Sequence, residues 1–389
     1  MFITPTNTNS SEPAIERELE TGELEAGKSY TYDLIVGKNK VTVGGVTVAE
    51  WKTGAPLPGG VAEEEPPYVT MTANSKQTFV MMCADSYILP DLEYSLNNGK
   101  WQKVVEFENV NFGGDLGSLR LRGKCSNGTA TDNEDFSWIN FVNPNVKVDC
   151  SGDIRTLIDY TAYKTVATEN CSFISLFQGC RALTSAPELP ATKLAHSCYS
   201  KMFEGCTSLV KAPDLPATTL APSCYFSMFK GCIALTGAPE LKAEEIKYAS
   251  CQSMFEGCTS LVNAPALLQA TILAANCYTN MFKGCISLKT APVLPAGRID
   301  YSCYSYMFQN CTNLESVTML ATSFGPSQPL VGWLDGAGTE AKNRRTLKVY
   351  DKETYNKIVT DYDPNMSNFW KIGECTVLDK DGGEITITE

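Results

Sequence analysis

The sequence predicts a multidomain chain: a β-rich N-terminal part leading into an α/β repeat solenoid closed by an α+β cap. Three observations carry this reading. Residues 171–322 repeat a unit at a nearly fixed period. Residues 68–151 alternate apolar and polar in short runs broken by turn residues. A Pro-, Gly- and Glu-rich stretch sets that region apart from a small β segment nearer the N terminus.

Taken in order, residues 1–29 are polar and acidic and read as a solvated tail or as an arm that becomes ordered on a partner. Residues 30–36, 41–43 and 46–48 alternate as three short strands, with Gly37-Lys38-Asn39 and Gly44-Gly45 as turns. Strands this short bury little alone, so residues 1–52 are expected to dock on another subunit or protein. Tyr30, Tyr32, Leu34, Val36, Val41, Val43 and Trp51 would carry the docking. Residues 53–67 form the linker.

Residues 68–151 hold about seven predicted strands, including a hairpin around Asn97-Asn98-Gly99, whose residues tolerate positive φ. This fits a small β-sandwich of immunoglobulin-like architecture. Cys83, Cys125 and Cys150 lack the Cys…Trp…Cys spacing of true immunoglobulin domains, so the likeness is one of architecture only.

The solenoid is assigned to residues 152–322. Its unit reads Cys198-Tyr199-Ser200-Lys201-Met202-Phe203-Glu204-Gly205-Cys206, then Leu209 and Ala212-Pro213-Asp214-Leu215-Pro216. The second cysteine recurs at 180, 206, 232, 258, 285 and 311, and units repeated in this way bury their apolar faces only against their neighbours. Cys198, Met202, Phe203 and Cys206 fall on one face of a helix, which predicts two helical turns over 197–204, ended by Gly205 in the left-handed region. Pro213 and Pro216 force 209–215 to run extended. Helices need about 10 Å each and strands about 4.8 Å, so the stack should curve with its sheet inside. The irregular copy at Cys171 should seal one end. After Thr322 the pattern stops, and residues 323–389 read as the other cap: a strand over 344–350, a helix over 352–360, a strand over 384–387, and Trp333 and Trp370 over the core.

Sixteen cysteines, twelve of them at two fixed places in the unit, read as reduced packing residues. With no CxxC and one histidine, His196, no metal is expected. No catalytic residues and no cofactor are expected either: a single histidine and no Gly-rich phosphate loop leave little for an enzyme to use. The net charge of −12, without a basic run, argues against nucleic acid. No apolar run reaches the roughly 18 residues of a membrane helix, and the N terminus lacks the pattern of a secretory signal. The concave face of such a stack is where recognition is expected. Ser185, Lys211, Gly237, Asn263 and Thr290 should point there, with Glu188, Asp214 and Glu240 beside them. A second row, Tyr199, Tyr225, Tyr278 and Tyr304, reads either as a stacking platform for glycans or as packing between units.

The string CYxxMFxGCxxLxxAPxLPAxxLA resembles the BspA-type leucine-rich repeats, found in surface proteins of gut bacteria and in virion proteins of their phages. The resemblance covers about 171–322. It extends more loosely over 68–160, through Tyr94 to Trp101 and Val148 to Ile154. It implies adhesion or recognition and supplies no catalytic residues. The fourth unit departs from it: Lys242-Ala243-Glu244-Glu245-Ile246 replaces Pro-Ala-Thr-Thr-Leu, and Gln252 stands for the tyrosine.

The expectation is a non-enzymatic virion protein, a head or tail fibre or decoration protein made without a signal peptide and shown on the virion surface. Residues 1–52 would join it to other virion proteins. A homo-oligomer would multiply weak attachment to a host surface protein or glycan. A bacterial cell-surface adhesin and a glycan-cleaving enzyme working through two carboxylates are the alternatives.

Overall fold

The computed structural model describes residues 28–37, 40–50, 65–84, 87–89 and 91–386, the first two segments by their backbone alone. The expected N-terminal arm, Trp51 and most of the linker lie outside these residues. The described residues are mostly β, with few helices, in several sheets, none of which closes into a barrel. No described helix is long and apolar enough to cross a membrane. The chain divides into two units, 1–66 and 67–389.

In the first unit, β1 (Lys28–Gly37) and β2 (Lys40–Glu50) form one antiparallel hairpin. Two strands stand where three were expected. The pairing steps from Asp33↔Gly45 to Leu34↔Val43, so Gly44 is an extra residue in a β-bulge and Gly44-Gly45 makes no turn.

The second unit opens with β3 (Val69–Thr72), β4 (Gln77–Cys83), β5 (Leu92–Leu96), β6 (Gln102–Lys103), β7 (Val110–Phe112), β8 (Leu119–Gly123), β9 (Ser137–Phe141) and β10 (Val148–Ser151). Strands β7-β4-β9 make one sheet and β10-β3-β8-β5-β6 most of another. Phe79, Phe112 and Ile139 from the first and Met71, Leu92 and Leu121 from the second are fully buried in one core. The Asn97-Asn98 turn has positive φ at both residues, as its sequence predicts.

The expected boundary at 151/152 falls inside a sheet, because β10 pairs in parallel with β11 (Leu183–Ser185) of the first repeat unit. The helix α1 (Thr156–Asp159) lies between them in sequence. Thr129 and Ile139 donate their N–H groups to Ser172 O and Leu176 O, at 2.6 and 2.7 Å. The two-sheet region, and not an irregular first copy, therefore closes that end of the stack.

The repeat units are not helical. In residues 197–206 alternate N–H groups turn back three residues within the unit: Ser200 to Ser197, Met202 to Tyr199, Glu204 to Lys201 and Cys206 to Phe203. The others reach forward into the next unit: Ser197 to Pro222, Tyr199 to Cys224, Lys201 to Phe226, Phe203 to Met228 and Gly205 to Lys230. Every fourth residue is left-handed, at Ser197, Lys201 and Gly205 (φ 53°, 55° and 72°). This run of turns points the same residues inward that a helix would: Cys198, Tyr199, Met202, Phe203 and Cys206 are at most 1% exposed. We call each such run a rung.

Without helices, rungs lie close. Phe203, Phe229, Phe255, Phe282 and Phe308 stack at 5.5–5.8 Å, and a thinner rung removes most of the mismatch that was expected to curve the stack. On the other side, the expected parallel sheet is full only toward the C terminus. Mid-stack it shrinks to single pairings, Lys211↔Gly237 and Gly237↔Asn263, and to β12 (Glu245–Ile246) with β13 (Ile272–Leu273). Then β14 (Thr290–Leu294), β15 (Arg298–Ile299), β16 (Ser316–Met319), β17 (Ser323–Phe324), β18 (Thr346–Lys348) and β19 (Thr376–Leu378) follow, with β14-β16-β18-β19 all parallel.

The cysteines do more than fill space. Cys206, Cys232, Cys258, Cys285 and Cys311 each donate their thiol to the phenylalanine carbonyl of the preceding rung, at 3.0–3.1 Å. Burial pushes the Cys258 and Cys311 thiols up to about 12, which keeps them protonated donors. Two cysteines leave the expected register. Cys171 takes the place of the left-handed Ser197 (φ 59°), and Cys251 takes that of Tyr199, since its N–H reaches Cys277 O as Tyr199 N–H reaches Cys224 O. Cys251, and not Gln252, replaces the tyrosine.

The stack also continues past Thr322. Gln328, Gly332 and Gly336 are left-handed, and Tyr304, Tyr306, Phe308 and Asn310 donate to Pro329, Val331, Trp333 and Asp335. Residues 328–337 are thus a seventh rung, in which Trp333 stands for methionine and Ala337 for cysteine. Trp333 and Trp370 are fully buried, and Trp370 Nε1 donates to Ala337 O at 2.9 Å. The helix α2 (Lys352–Lys357) is followed by a π-helical turn, 358–362, and among the described residues a single pairing, Leu378↔Glu384, is found near the expected last strand, whose end lies outside them.

Where an eighth rung would offer a carbonyl, Asp363 accepts the Gly332 N–H instead. Burial, and then repulsion from Asp335, raises its carboxyl to about 6. A carboxyl raised on folding contributes stability below its unfolded value near 3.9, and that contribution is lost as pH rises through about 6. Asp363→Asn, which keeps the acceptor, should therefore be no more stable than wild type at pH 4 and more stable at pH 7.5 in urea titrations. An equal difference at both values would clear Asp363 of this role. For the rungs, a Cβ on Gly231 would lie 3.8 Å from Gly205 Cα, an ordinary contact, so only its φ of 73° resists substitution. Gly231→Ala should cost about 1–2 kcal/mol by chemical denaturation.

Candidate recognition groove

On the strand side, three successive units share the pattern Ala-Pro-X-Leu, with X being Glu188, Asp214 and Glu240. Prolines on either side of Glu188 and Asp214 fix φ and remove N–H donors, so these residues are held on stiff, extended backbone. An open groove of about 750 Å³ runs across them. Glu188, Asp214, Glu240, Lys211 and Lys242 supply its charges, and Pro187, Pro190, Pro213 and Pro216 its frame. All five charged residues are exposed. Among the described residues, none of the five side chains forms an ion pair or a hydrogen bond.

The structure sorts the expected recognition residues. Ser185 lines the groove, but its hydroxyl is committed: it donates to Cys150 O and accepts from Cys150 N–H, both at 2.9 Å. Lys211, Gly237 and Asn263 form one continuous row, with Gly237 and Asn263 beyond the groove lining. Thr290 opens β14, away from it. Tyr199, Tyr225, Tyr278 and Tyr304 cannot act as a platform. They are 1–2% exposed, and neighbouring members of the row stack at 6.1–6.3 Å inside the core. Of the expected docking residues, Tyr30, Tyr32, Leu34, Val36, Val41 and Val43 lie on the hairpin strands.

Lys242 is the groove residue the expectation omitted. It stands where Pro190 and Pro216 stand in the two preceding units, so the break in the repeat at 242–246 was its signal. The groove offers carboxylate acceptors and ammonium donors side by side, a set suited to hydroxyl-rich or mixed-charge ligands. Among the described residues, no group of three His, Cys, Asp or Glu is placed to hold a metal ion. No protein-family model, no curated protein and no solved structure matches this chain.

Proposed function

We propose that this chain is a non-enzymatic recognition protein whose groove holds a host-surface protein or glycan. In this reading the stacked rungs are a leucine-rich-repeat solenoid of the BspA type, headed by an immunoglobulin-like sandwich. The hairpin unit joins it, as a homo-oligomer, to a virion head or tail as a fibre or decoration protein. The observation that carries the reading is the groove itself: five unpaired charged side chains on one rigid, proline-framed face. Exposed charges left without partners contribute little to folding, which makes them available to a ligand. The resemblance of the repeat string to those of surface and virion proteins supports the placement on a particle.

One feature favours a second reading. The three units that carry the carboxylates are stepped by 5.5–5.6 Å in the phenylalanine stack, near the roughly 5–5.5 Å carboxyl separation that retaining glycosidases use. A glycan-cleaving groove would therefore need the same residues.

One set of variants tests both. With Glu188→Gln, Asp214→Asn and Glu240→Gln combined, adsorption of the protein to host cells should fall roughly tenfold, the scale of a lost hot spot. Unchanged adsorption would remove the groove from recognition. Release of new reducing ends from host polysaccharide by wild type, absent in the variant, would establish the enzyme reading instead. Removing residues 1–52 should convert an oligomer into a folded monomer by light scattering. An antibody to this chain should decorate purified particles in immunogold micrographs, and bare particles would defeat the virion placement.

A further inference from the structure

Two tyrosines outside the buried row stand on the surface of the repeat. Tyr248 and Tyr301 are 53% and 59% exposed. They hold the same place in the fourth and sixth rungs, and Ala275 holds it in the fifth: Ser223, Ala249 and Asn276 N–H groups donate in turn to Tyr248, Ala275 and Tyr301. One residue earlier these rungs carry Lys247, Ala274 and Asp300, and two residues before those Glu245, Ile272 and Arg298. The middle rung is thus small and apolar, with Ile272 63% exposed at its margin. The outer rungs each bring a tyrosine and an ion pair, Lys247–Glu245 and Arg298–Asp300.

Tyr301 is held there deliberately. Its φ of 45°, followed by 60° at Ser302, makes two left-handed residues where the other rungs have one. Bulky side chains adopt this conformation rarely, and such outliers gather at ligand sites. Asp300 stabilises it, accepting the Tyr301 N–H at 2.8 Å and the Ser327 N–H at 3.4 Å. Asp300 in turn needs Gly325, where any Cβ would lie 1.7 Å from the carboxyl carbon.

We propose that the trough between Tyr248 and Tyr301 binds one pyranose ring of a neutral polysaccharide. Two rung spacings, 5.6 and 5.8 Å in the phenylalanine stack of these rungs, set the tyrosine positions about 11 Å apart, room for one puckered ring between them with an apolar face toward the aromatics. The hydroxyl edge meets the two ion pairs, and the net charge of −12 disfavours an acidic polymer. A second copy of the chain fits less well. Three part-exposed side chains offer on the order of 100 Å² each, against about 800 Å² per partner in a stable dimer. The trough shares no residue with the groove and stands whether or not the groove binds.

The test is biolayer interferometry of the full chain on immobilised dextran, yeast mannan and laminarin. Wild type should bind at least one of them. Tyr248→Ala and Tyr301→Ala should each weaken that binding roughly three- to tenfold, and together abolish it with the circular dichroism spectrum unchanged. Glu188→Gln with Asp214→Asn should leave it intact. Failure of wild type to bind all three polymers, or full binding by the double variant, would overturn the proposal. So would a concentration-dependent dimer that the double variant abolishes.

Discussion

The structure depends on where every second N–H of a rung goes. In a two-turn helix only the later donors would find carbonyls inside the unit, and none would be shared with the next unit. Here Tyr199, Lys201, Phe203 and Gly205 donate to the following rung, so an isolated rung would leave half its donors without protein partners. In an isolated rung water would solvate those groups, so each bond to a neighbour contributes only about 0.5–1.5 kcal/mol net, and a single rung has no neighbour against which to bury its apolar side chains. Stability is therefore a property of the pair and the array.

Several features of the sequence follow from that constraint. Turning back every three residues while facing a neighbour requires a left-handed residue every fourth position, which Gly, Ser and Asn fill at most places. The close rung spacing permits the continuous phenylalanine stack. A phenylalanine carbonyl near the end of each turn still has acceptor capacity, and a thiol is small enough to reach it from a fully packed position. The array also needs ends. The two-sheet region supplies donors to the first rung through Thr129 and Ile139, and Asp363 takes the place of an absent carbonyl at the last.

Much of this was legible. The period, the inward residues and the burial of Trp333 and Trp370 could be read because burial leaves a chemical pattern. The backbone could not be read in the same way: spacings of four, five and eight residues put side chains on one face both of a helix and of this run of turns. Only the serines, asparagines and glycines at every fourth place carried the difference. The seventh rung was hidden because proline, tryptophan and alanine replaced cysteine, methionine and cysteine. Those substitutions preserve burial and φ while erasing the motif. The fourth rung misled in the opposite way, since Cys251 keeps a cysteine while shifting it into the tyrosine's place. In the groove, the carboxylates were readable from the repeat itself, and Lys242 only from a break in it.

Stacking and the proposed recognition make separate demands on this chain. The residues that hold rungs together are buried or in the backbone, and the X position between its prolines touches neither the phenylalanine stack nor the thiols. It is free to be Glu188, Asp214 and Glu240 in three units and Val293 in a later one without disturbing the core. The outer place held by Tyr248, Ala275 and Tyr301 has the same freedom, except at Tyr301. There the chain accepts a second left-handed residue and keeps Gly325 clear so that Asp300 can hold it. Stacking the rungs requires neither, because the other rungs do without both. A conformation that folding does not require, on a side chain that folding does not bury, is what the proposed sugar site accounts for.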